Sequence, residues 1–185
     1  RYVAYSEGVK DFWAAVGVDP KKTEIVHNGI EIEEIKPVDV WKRIGISSKR
    51  GPLIGCVGAV KVNRTYDFMI RAMARILQEE PEAHLVIVGT WMDRGLAEKL
   101  LELIDRLDIA HAVTLHGHDS MAKYMIAGVD MLAIPYLVEP YGRVLLEAWM
   151  TKTPVIATHV GKIDHIISDG KDGLLVEHGD EGAMC

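Results

Sequence analysis

A chain of 185 residues has room for one generous domain and little more. Its 49% hydrophobic and 26% charged residues, with 17 Gly and 7 Pro, exclude a disordered chain, a collagen-like fibre and a disulfide-stapled mini-protein. Lys+Arg of 21 against Asp+Glu of 27 leaves a net charge of −6, so no nucleic acid is expected as partner, and any phosphate must be bound by local cations and backbone dipoles.

Two cysteines, Cys56 in an apolar run and Cys185 at the last position, make no disulfide framework and suggest a reducing, cytoplasmic compartment. No stretch approaches the ~18 uninterrupted apolar residues of a membrane span, and Arg1 to Lys10 are too polar for a signal peptide. The chain starts without Met and stops after Gly179 to Cys185, where another helix could begin, so it reads as a piece of a longer protein.

Gly8 to Val16 is expected to form a short helix with Val9, Phe12, Trp13 and Val16 along one side. Glu24 to Gly29 reads as a lone strand ending in a turn, and the acidic, aperiodic Ile30 to Pro37 as a linker. From residue 52 the pattern is strand, helix, strand, repeated. Pro52 to Gly58 is a short apolar run bounded by glycine, as a strand buried on both faces should be. Phe68, Met69, Ala72, Met73, Ile76 and Leu77 recur at helical spacing until Glu79-Glu80-Pro81 stops them. Leu85 to Val88 is a second strand, and Leu96, Leu100, Ile104 and Leu107 mark a second helix. Val113 to Leu115 is a third strand, followed by a short helix with Ser120 as its expected N-cap. Asp130 to Ile134, Pro154 to Ala157 and Gly173 to Val176 complete six strands, with Val144 to Met150 a helix between the first two of these. The class is α/β: a Rossmann-like, doubly wound parallel sheet of about six strands with helices on both faces.

In such a sheet, ligands bind beyond the carboxyl ends of the strands. The loops there carry Lys61, Arg64, His116, His118, Glu139, Arg143, His159, Lys162 and His165 among glycines, so the rim is basic although the protein is acidic. An anionic ligand such as a diphosphate fits. The residues after Gly58 lack the G-x-G-x-x-G of a nicotinamide site, and the Walker, H-E-x-x-H, C-x-x-C and G-x-S-x-G signatures are absent as well. His116, His118 and Asp119 lack a further well-spaced ligand, and read as pocket lining or solvent-facing loop residues rather than a metal site.

The most informative segment is Glu139 to Glu147. Gly142 opens a helix whose free N–H groups suit a phosphate or sugar hydroxyl, and Glu147 further along suits the paired hydroxyls of a ribose. The same spacing also fits a Glu139 that complements the helix dipole and a Glu147 that pairs with Arg143 four residues earlier.

Glu139-x7-Glu147 after an apolar strand, then Thr153 to Thr158 and Asp169 to Val176, resembles glycosyltransferase family 4, retaining enzymes of the two-domain GT-B fold. Tyr5 to Lys10 and Ile25 to Ile30 are similar to that family's domain junction. The resemblance implies that residues 1–36 are the end of an N-terminal acceptor domain plus linker, and that 37–185 are the nucleotide-sugar donor-binding domain. It implies Glu139 on the donor-sugar hydroxyls as the catalytic residue, and Glu147 on the ribose. Tyr141, Gly142 and Arg143 would approach the sugar and diphosphate, His118 the base, and Arg64 the diphosphate. Ala59 stands where the family usually has Arg, Pro140 where it usually has Gly, and Gly161 to His165 replace its usual Gly-Gly-x-Pro-Glu. Lys61 and Lys162 are the residues expected to supply the charge missing at Ala59. The expected activity is metal- and cofactor-independent hexosyl transfer from a nucleotide sugar to a glycan, lipid or small molecule, with the missing N-terminal domain as partner. It would take place in the cytoplasm or on the cytosolic membrane face, and this piece alone would be inactive. A sugar-nucleotide epimerase, a phosphorylase or a non-catalytic sugar-nucleotide-binding module are the alternatives.

Overall fold

The computed structural model describes residues 1–47, 51–138, 142–161 and 163–185. Its amino-terminal part comprises β1 (Tyr2–Ala4), α1 (Glu7–Ala15) and β2 (Thr23–Ile25). Ser6 caps α1, its hydroxyl oxygen accepting from the Val9 N–H at 3.2 Å. The strand expected at 24–29 is shorter and is not alone: Tyr2–Ala4, too short to show a pattern in the sequence, lies parallel to it with Tyr2 opposite Thr23. Trp13 sits edge-on to Tyr2. The apolar side of α1 forms as expected, but Phe12 and Val16 each remain 65% exposed. The chain from Val26 through Asp39 has no regular structure, as expected of a linker, and re-enters order at α2 (Val40–Arg43). Asp39 caps α2, accepting from the Lys42 N–H, and Val40 and Trp41 plug into the main core.

That core surrounds β3 (Leu53–Val57), α3 (Tyr66–Glu79), β4 (His84–Val88), α4 (Arg94–Arg106), β5 (Val113–Gly117), α5 (Ala122–Ile126), β6 (Met131–Ile134), α6 (Arg143–Met150), β7 (Val155–His159) and β8 (Leu174–Glu177). The six strands from β3 onward pair in parallel in the order β5-β4-β3-β6-β7-β8. Every residue of β3 and β4 is buried, which is why these strands read as apolar runs without alternation. Each fully buried Leu or Ile of this kind, Leu85 and Leu132 among them, contributes about 1.5–3 kcal/mol of transfer free energy. Right-handed crossovers put α3 and α4 on one face and α5 and α6 on the other, and the members of each pair pack together.

From β3 onward the element boundaries differ from the expected ones by a residue or two, with one chemical correction. Ser120 is not the cap before α5: Met121 holds that position without a side-chain cap, and the Asp119 carboxylate accepts from the Met121 N–H at 2.8 Å in the turn that leads into the helix. An aspartate bonds the backbone two residues on in this way more strongly than a serine does, so the turn is built on Asp119. Among the described residues no helix is long and apolar enough to cross a membrane.

Candidate functional site

The strand order reverses between β3 and β6, and a parallel sheet leaves a crevice at such a point beyond its carboxyl ends. A cavity of about 380 Å³ lies there, with Gly58, Gly89, His118, Lys123, Arg143 and Glu147 in its lining. Its floor needs glycine. A Cβ on Gly89 would stand 1.9 Å from the Gly58 carbonyl oxygen, and one on Gly58 would stand 2.8 Å from the Tyr136 hydroxyl. The two strand ends therefore approach as bare backbone, which leaves the space above them open to a ligand.

One wall is α6. Gly142 occupies its N-cap position with extended backbone and contributes no side-chain cap, so the first-turn N–H groups lack that partner. Arg143 begins the helix and Glu147 follows one turn on, half-buried in the wall. Burial pushes the Glu147 carboxyl up from its ordinary pKa, and the charges of Arg143 and Lys123 pull it back down. The expected Arg143–Glu147 relation is thus present as a charge effect inside a cavity, rather than as a surface pair.

Arg64 sits behind the floor. Its guanidinium lies 3.8 Å from the centre of the Tyr136 ring and beside Gly58, and its buried Nε has no hydrogen-bond partner among the described residues. The tyrosines around it are fixed: Tyr136 donates to the Val57 carbonyl at 2.8 Å and Tyr66 to the Gly58 carbonyl at 2.9 Å. Thr65, at φ 41°, hydrogen-bonds the Pro135 carbonyl, so the loops after β3 and β6 are tied together. Lys61 is half-buried just before this turn and is not part of the cavity lining.

The opposite wall follows β5. Asp119 accepts a bidentate pair of bonds from Arg43, at 2.5 and 2.6 Å, and lies 2.8 Å from His116 Nε2. Arg43, the Met121 N–H and His116 hold its carboxyl well below the usual carboxylate range against the cost of burial. Its charge is therefore already engaged by an arginine rather than left for a metal. Of the residues anticipated from sequence, His118, Arg143 and Glu147 meet in the cavity, with Gly142 adjoining and Arg64 beneath. Glu139, Tyr141 and Lys162 lie outside the described residues. His159 is drawn instead to Glu177 on β8, 2.9 Å away. Lys123 and Arg43 are functional candidates that the sequence does not single out, because both stand on short helices rather than in the loops where cations are expected.

The family model for glycosyl transferases group 1 matches residues 51–185. D-inositol 3-phosphate glycosyltransferases of Rhodococcus jostii and Streptomyces scabiei are 31% and 32% identical over 87% and 90% of this chain. The chain spans 37% and 40% of those relatives' lengths. Among solved structures, Anabaena HepE in complex with UDP and glucose superposes with a TM-score of 0.89 at 22% identity, over 98% of this chain and 50% of that one. Sucrose-phosphate synthase of Thermosynechococcus elongatus gives 0.81 at 23% identity, over 98% and 46%.

Proposed function

The chain belongs to the glycosyl transferases group 1, and from that premise we propose that it is the donor half of a retaining, nucleotide-sugar-dependent hexosyltransferase. The observation that carries this reading is the cavity at the strand-order reversal, where an uncapped helix N-terminus, Arg143 and a half-buried Glu147 meet over a floor of bare glycine backbone. A half-buried carboxylate needs hydrogen-bond donors, and the two hydroxyls of a ribose supply them. The α6 N-terminus suits a diphosphate through its N–H groups and dipole, and Arg64 adds a cation whose buried Nε has no partner among the described residues. The UDP and glucose bound to the structurally similar HepE favour the same class of ligand.

When the bond from the sugar C1 to the diphosphate oxygen breaks, negative charge collects on the leaving phosphate. Arg64, Arg143 and the first turn of α6 would stabilise that charge without reorganising. Lys61 and Lys162 add charge at the rim in this reading. Glu139 holds the sugar hydroxyls, Tyr141 and Gly142 line the approach to the sugar, and His118 lies beside the base. The acceptor, a glycan, lipid or small molecule, enters from polypeptide across the cleft, with residues 1–36 as the junction to it. Transfer needs no metal or cofactor in this scheme. Calorimetric titration of UDP-, GDP- and ADP-glucose into this chain tests the reading. At least one should bind, and Glu147→Ala should abolish its heat while the protein stays folded by circular dichroism. A folded wild-type sample that binds none of the three sinks the donor-site assignment.

A further inference from the structure

Lys123 is a cavity cation to which the donor-site reading gives no task. It stands at the start of α5, it is the one lysine among the described lining residues, and its charge reaches Glu147 across the cavity. On its outer side the same ammonium is hydrogen-bonded to Glu33, in the irregular segment that leads into α2. One ammonium therefore stands between a linker carboxylate and whatever anion enters the cavity.

We propose that Lys123 binds the diphosphate-bearing donor and that Glu33 competes with it for this ammonium, so that donor binding releases the linker from α5. The proposal rests on the donor-site reading of the same cavity. Exposure decides which contact gives way. The Glu33 and Lys123 side chains are 43% and 34% exposed and meet through a single pair of atoms, a geometry that stabilises little. By contrast, Asp119 is 6% exposed and takes two bonds from Arg43, which lies further along the same segment as Glu33. That bidentate pair holds α2 against the β5–α5 wall while the Glu33 end lets go. A diphosphate brings more charge than one carboxylate, and so wins the ammonium.

Titration of UDP, GDP and ADP into the wild type, Glu33→Gln, Lys123→Gln and the double variant tests the competition. Whichever nucleotide binds the wild type should bind Glu33→Gln about two- to fivefold more tightly at low salt, the range open to an exposed pair. The gain should shrink in high salt. Lys123→Gln should bind more weakly, Lys123→Arg should recover most of the loss, and the double variant should bind no more tightly than Lys123→Gln. Amide exchange across residues 30–37 should speed up when nucleotide binds the wild type, and not when it binds Lys123→Gln. Unchanged affinity in Glu33→Gln, or an equal gain on the Lys123→Gln background, overturns the competition and leaves the donor site standing. A folded wild type that binds no nucleotide overturns both.

Discussion

His84 opens β4 and Gly89 follows its last residue, and a single side chain matters at each. A Cβ at Gly89 meets the Gly58 carbonyl, which is backbone and cannot swing aside. Gly89→Ala should cost about 1–3 kcal/mol by overpacking and lower the melting temperature by roughly 3–10 °C, read by calorimetry. At the other end His84 is 4% exposed, tilted against Trp41 and 2.8 Å from the Thr114 hydroxyl. Burial, helped by the neighbouring His111, pushes its pKa down to about 4. The folded state thus resists a proton that the unfolded chain accepts at about 6.5. Its stability is complete above that value, falls as pH drops toward 4, and loses on the order of 3 kcal/mol at most. Glu147 opposes this in part, because its raised pKa makes the folded state the better proton acceptor as pH falls. Asp119, with its lowered pKa, withdraws stability only at still lower pH. Urea denaturation at pH 7 and 4.5 should therefore show a larger drop for the wild type than for His84→Gln. Equal drops would remove His84 as the source.

Helix α6 carries the sharpest conflict between stability and binding at the scale of an element. Gly142 holds extended backbone that any residue adopts, so nothing in its conformation demands glycine. Asp there would cap the first turn and stabilise the helix by a few tenths of a kcal/mol. The same carboxylate would take the N–H groups offered to the donor phosphate and repel its charge. Gly142→Asp should keep or raise the melting temperature while weakening nucleotide binding at least about tenfold, the scale of one charge-assisted hydrogen bond. Unaltered binding would take the α6 N-terminus out of the donor site. Elements also show what a sequence discloses. The strands and helices beyond residue 52 are legible because fully buried parallel strands leave apolar runs and their helices leave 3.6-residue stripes. At three or four residues, β1 and α2 are too short to leave either signal. The Arg43–Asp119 bridge joins residues 76 apart in the chain, and only the strand order brings them together. Glu147 and Arg143 are legible because a motif places both on one helix. Lys123 is not, since its meaning comes from a cavity on one side and Glu33 on the other.

Across the whole molecule, the buried apolar core runs from Val40 to Met184 and takes no residue from the first 36. Ala4, Ser6 and Thr23, the buried residues of the amino-terminal part, lie outside that cluster. Among the described residues, two ion pairs tie the segment before β3 to the cavity wall: Glu33 to Lys123, exposed, and Arg43 to Asp119, largely buried on its acid side. A domain boundary at residue 37 keeps the second and severs the first. Residues 37–185 alone should therefore melt cooperatively within about 4 °C of the longer chain, since among the described residues the ion pair that the cut severs is exposed, at 43% for Glu33 and 34% for Lys123. The same truncation removes the carboxylate that competes for Lys123, so nucleotide affinity should rise by the factor that Glu33→Gln produces, and adding Glu33→Gln to the longer chain should reproduce the effect without any deletion. A loss of cooperative melting, or a drop beyond about 10 °C, would make residues 1–36 part of the same fold as the six-stranded sheet. A truncation that melts normally yet binds nucleotide no better would place the linker outside the control of the donor cavity.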